Sequence, residues 1–70
     1  MTHKTCSEIV SVLAKIAEQR PELRFGQLVA NIAYLAKGAT QEAIWEVEDQ
    51  EFLEAARKHL AELPAKHEVV

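Results

Sequence analysis

The sequence predicts an all-α protein: a small three-helix bundle forming one domain over 1–70, with room for a short extra helical turn in the 40–48 link. Apolar residues recur at spacings of three and four rather than alternating, which is the period of a helix face. Eleven Ala and seven Leu against six Val and four Ile lean the same way. Two Gly and two Pro leave few loops to build. Seventy residues also exclude much: multi-domain enzymes, nucleotide-binding α/β folds and solenoids need more chain.

The first helix is expected over about 5–20. Thr5 and Glu8 have the spacing of a capping box, in which each side chain satisfies the other residue's backbone N–H. Ile9, Val12, Leu13, Ile16, Ala17 and Arg20 then fall on one face. Pro21 stops the run, because it lacks an N–H and disfavours helical geometry at Arg20. A second helix is expected over 23–37, with Phe25, Leu28, Val29, Ile32, Leu35 and Ala36 as its apolar stripe. Gly38 follows as its left-handed terminator, behind Lys37 in the last turn. Gly26 reads as a position where another backbone comes close, with a tolerated weakness in the helix as the other reading. The 40–48 link has two readings: a short helix capped by Thr40 and holding Ala43, Ile44 and Val47, or an irregular packed segment. A third helix is expected over 49–63, capped by Asp49, with Phe52, Leu53, Ala56, Leu60 and Leu63 facing inward. Pro64 ends it, and 64–70 is expected to fray as a disordered tail.

Charge narrows the function. The net charge is −3, and residues 38–56 hold six acids (Glu42, Glu46, Glu48, Asp49, Glu51, Glu54) and no base. Nucleic-acid binding draws on clustered cations, so this balance argues against such a partner. One feature favours it. Arg24, Gln27, Asn31 and Tyr34 share a polar stripe on the second helix, and Arg, Gln and Asn are the side chains that read base edges in a major groove. The pair of helices joined through Arg20–Leu23 can be drawn as a helix-turn-helix. The alternative function is therefore a DNA-binding or regulatory domain using that face.

Catalytic and metal chemistry find little support. Cys6 is the single cysteine, expected as a half-buried structural thiol, with no visible link to His3, His59 or His67. His3 and Cys6 lack two further ligands at zinc spacing. No glycine-rich phosphate loop, nucleophile elbow or paired His-Glu metalloprotease motif occurs. No enzyme, cofactor or metal is expected. A lone cysteine allows no internal disulfide, and the first twelve residues are too polar for a signal peptide. The run Leu28–Ala36 is far shorter than the ~20 residues that span a bilayer, so the cytoplasm and no membrane are expected.

Arg20-Pro-Glu-Leu-Arg-Phe-Gly-Gln-Leu-Val-Ala-Asn31 and Trp45-Glu-Val-Glu-Asp-Gln-Glu-Phe-Leu-Glu54 form two blocks in order. They resemble the pattern of short, uncharacterised bacterial helical proteins: Pro-x-x-Arg-Phe-Gly-Gln-Leu, an aromatic, then an acidic Glu-Asp-x-Glu-Phe-Leu helix start. The resemblance covers about half the chain, from Arg20 to Asn31 and from Trp45 to Glu54. It implies a small bacterial helical protein and transfers no catalytic residue. It draws Arg24, Gly26, Gln27, Asn31 and the acidic cap together. Arg24 and Gln27 are accordingly expected to reach Glu48 or Asp49 across the link.

A core this small commonly supplies only ~3–5 kcal/mol, and self-association is a natural remedy. Trp45, Tyr34, Val69 and Val70 are apolar groups the three stripes do not use. The function expected is a non-enzymatic protein–protein interaction module. Its partner is another protein or a second copy as a homo-oligomer, met through Arg24, Gln27, Asn31, Tyr34, Trp45, Glu48 and Asp49.

Overall fold

The computed structural model describes residues 3–63. Four helices follow in order: α1 (His3–Gln19), α2 (Phe25–Lys37), α3 (Gln41–Glu46) and α4 (Asp49–Glu62). The 40–48 link thus contains a real helix, the first of the two readings, except that Val47 is its extended C-cap rather than a member. Pro64, Val69 and Val70 and the expected tail lie outside the described residues.

Helix boundaries differ from expectation for local reasons. α1 begins at His3, so Thr5 and Glu8 lie inside it rather than forming its cap. Glu8 instead faces Arg57 of α4, Oε2 to a guanidinium nitrogen at 3.6 Å. α1 ends at Gln19, and the Leu23 N–H donates to the Arg20 carbonyl at 3.1 Å. That bond closes a turn with Pro21 at its second position, where a fixed φ suits the geometry. α2 therefore starts at Phe25, two residues later than the periodicity predicts, with Arg24 as N-cap. At α4 the N-cap is Glu48, not Asp49. The Glu48 N–H donates to Glu51 Oε1 at 3.0 Å, so the carboxylate three residues on completes the helix start. Thr40 caps α3 through its carbonyl, which accepts from the Ala43 N–H at 3.1 Å.

The core joins three helices. Val12, Leu13 and Ile16 of α1 meet Leu28, Ile32 and Ala33 of α2 and Phe52, Leu53 and Ala56 of α4. Ile16, Leu28, Ile32 and Leu53 are the largest fully buried side chains, each worth ~1.5–3 kcal/mol of transfer free energy. α1 packs chiefly on α4, and α4 in turn on α2, so α4 is the central element. Ala43 is buried and Val47 packs half-buried on the core, which is what holds α3 down.

Two members of the expected α2 stripe are not buried: Phe25 is 58% exposed and Leu35 61%. Phe25 faces the right way but is the first residue of the helix, beyond the cover of its neighbours. Leu35 lies at the border between the apolar and polar stripes. Gly26 also departs from expectation, since a Cβ added there meets nothing within 4 Å. No backbone approaches it. Gly38 does require glycine. Its φ of 109° and ψ of 160° lie in a region that side chains exclude, and its N–H donates to the Tyr34 carbonyl at 2.7 Å.

Candidate functional site

The seven residues expected to form an interaction surface fall into two groups. Arg24, Gln27, Asn31 and Tyr34 run along α2, the first three exposed and Tyr34 half-buried. Trp45, Glu48 and Asp49 belong to α3 and the start of α4. The expected tie between the groups is absent. The Gln27 Oε1 accepts from the Arg24 backbone N–H at 3.0 Å, capping its own helix. Neither residue reaches Glu48 or Asp49. The 13 residues of α2 span about 20 Å, and it is the Lys37 end that adjoins the start of α4. Lys37 Nζ lies 3.6 Å from Glu51 Oε2 and makes the connection assigned to Arg24.

Trp45 is 87% exposed, the most exposed large apolar side chain among the described residues. Its neighbour Ile44 is 46% exposed and forms part of a groove of about 310 Å³. α1 supplies one wall of that groove through Cys6, Ile9 and Leu13, and α2 contributes Val29 and Ala33. The far side is Ile44 and Val47, with Asp49 and Phe52 from α4. Of these residues sequence reasoning named only Asp49 as a surface candidate. No local signal marks the rest, because α1, α2, the α3 segment and α4 bring together residues remote in sequence. Cys6, expected half-buried, is exposed at this groove. A second depression of about 230 Å³ lies between Leu35 and the α4 residues Ala55, Lys58, His59 and Glu62.

Electrostatics at the helix starts is simple. The Glu48 N–H holds the Glu51 carboxyl below its ordinary range, and Lys37 adds to that effect. Glu22 is lowered too, first by its own backbone N–H and then by Arg20, whose Nε donates to it at 2.6 Å. Among the described residues no polar or charged residue is buried, and no group of three or more His, Cys, Asp or Glu is placed to hold a metal ion. No helix among them is long and apolar enough to cross a membrane. What the site presents is an apolar depression with the Asp49 carboxylate in its wall.

No protein-family model, curated protein or solved structure matches the chain.

Proposed function

We propose that the chain is a non-enzymatic protein–protein interaction module, acting in the cytoplasm, whose contact face is built on α3 and the start of α4. The observation that carries this is Trp45, with 87% of its surface in water. A buried indole brings a large apolar area at little entropic cost, which is why Trp anchors are over-represented among residues that dominate binding energy. Trp45 contributes nothing to this chain's own core, so its burial remains available to a partner. Glu48 and Asp49 follow it in the chain and supply a polar rim. Among the described residues no charged residue is buried, so the core holds no titratable group tuned by burial, the usual equipment of acid–base catalysis.

The DNA-binding alternative is weaker on the geometry. Of its cations Arg20 is held by Glu22 and Lys37 by Glu51, leaving Arg24 as the base on the α2 stripe. Titration with mixed-sequence duplex at low salt separates the readings, since non-specific affinity is greatest there. The module reading expects no binding.

Trp45 is the single tryptophan of the chain, so its fluorescence reports on this face alone. Free protein should show a water-exposed, readily quenched indole. A bound partner should shift the emission to the blue and shield it from acrylamide. A partner that binds while leaving Trp45 fully quenchable sinks the reading.

A further inference from the structure

We propose that the groove beside α3 receives a large apolar side chain from a basic amphipathic helix of another protein, with that helix's Lys or Arg residues facing Asp49, Glu46 and Glu48. The inference rests on the interaction reading above and names the partner's chemistry. At about 310 Å³ the groove is at the small end of ligand sites, and Asp49 and the Cys6 thiol are too few polar groups to fix a small molecule. Its walls are helices and a helix cap, with no strand among the described residues, so there is no sheet edge for an extended peptide to join. A Pro-rich extended segment docks in a groove lined by aromatics, and Phe52 is the one aromatic among these lining residues, whereas an amphipathic helix lays its apolar face into an aliphatic groove such as this one.

Charge selects the kind of helix. Residues 38–56 contain six acids and no base, and one of those acids, Glu51, is already met by Lys37. Asp49 lines the groove itself. Glu46 and Glu48 are exposed on either side of Val47, another lining residue. An acidic or neutral partner would leave these carboxylates opposed or unanswered, whereas a basic one meets them across the rim. A second copy supplies such a face poorly. Its Arg20, Lys37 and Arg57 already sit against Glu22, Glu51 and Glu8. Its other described cations are scattered: Lys4 and Lys15 lie about three turns apart on α1, Arg24 begins α2, and Lys58 is on α4.

The test uses the full chain, isotopically labelled, and three synthetic peptides with Leu at helical spacing and Lys, Glu or Gln on the other face. The Leu/Lys peptide should shift the amide resonances of Val29, Ala33, Ile44, Val47 and Phe52 saturably, and added salt should weaken it. Glu46→Gln and Asp49→Asn should each weaken it about two- to fivefold, the range of one exposed charge pair. Glu46 makes no cap, so Glu46→Gln keeps the test valid if Asp49→Asn disturbs α4. Equal binding of the Leu/Gln or Leu/Glu peptide at the same residues overturns the basic-helix assignment and leaves the interaction module standing. Groove resonances that move with protein concentration alone give the site to a second copy and also overturn it. So does a Leu/Lys peptide that leaves all five residues unmoved.

Discussion

Lys37 Nζ stands 3.6 Å from Glu51 Oε2, joining the last residue of α2 to the first turn of α4 over the intervening α3. The same carboxylate accepts the Glu48 N–H through its other oxygen, at 3.0 Å. One side chain therefore both caps α4 and pairs with the last residue of α2.

That double role makes a pH prediction. The folded-state pKa of Glu51 lies below the ordinary value of 4.5, so its contribution is present above that value and lost as pH falls through the depressed one. Acid should weaken the α2–α4 junction. Glu51→Gln keeps an oxygen for the Glu48 N–H but cannot be charged. Its melting temperature should fall less between pH 6 and pH 3 than that of the parent chain, and an equal fall in both would refute the assignment.

The two glycines should respond in opposite directions. Gly38→Ala forces a side chain into a φ of 109° and should cost about 1–3 kcal/mol in chemical denaturation, although nothing lies within 4 Å to clash. Gly26→Ala, in the open first turn of α2, should stabilise by roughly 0.5–1 kcal/mol. A destabilised Gly26→Ala variant in the same denaturation would count against an open position there.

Ile32 is fully buried among the three core helices. Ile32→Ala should lose about 2–5 kcal/mol, as much as the whole stability expected of so small a core, and leave the chain largely unfolded by circular dichroism. Ile32→Val should cost only about 0.5–1.5 kcal/mol and remain folded.

Trp45→Ala should leave stability within about 0.5 kcal/mol, since 87% of the side chain touches water. Partner binding should weaken by at least about 2 kcal/mol if Trp45 is an anchor. Isothermal titration against a folded control decides between anchor and bystander.

Much of this was legible in the chain. The all-α class, the inward apolar residues of α1 and α4, and the positions of Pro21 and Gly38 followed from periodicity and backbone chemistry, whereas Arg20, read onto the inward face of α1, lies past its end and pairs with Glu22. What misled was equivalence among apolar positions. Phe25 and Leu35 satisfy the period yet lie outside the cover of neighbouring helices, and periodicity cannot say how far that cover extends. Thr5–Glu8 and Asp49 were plausible caps displaced by nearby starts, because several residues of similar quality compete at each helix end. The groove needed three dimensions, since α1, α2 and α4 bring to it residues remote in sequence. For the candidate surface residues, sequence could not show that α2 points its Arg24 end away from Trp45 and Asp49.

α3 has six residues, too few to persist as a helix without support, and only Ala43 and Val47 anchor it inward. Of its large side chains, Trp45 is exposed and Ile44 lines the groove while remaining 46% exposed. Amide exchange there should outpace that of α1 and α4, because this short piece can melt while the rest stays shut. A bound partner would then be felt as tightening, and the segment's looseness would set how much affinity is surrendered on each encounter. Selection could adjust that looseness through Ala39, Thr40 or Gln41 without disturbing a single core residue.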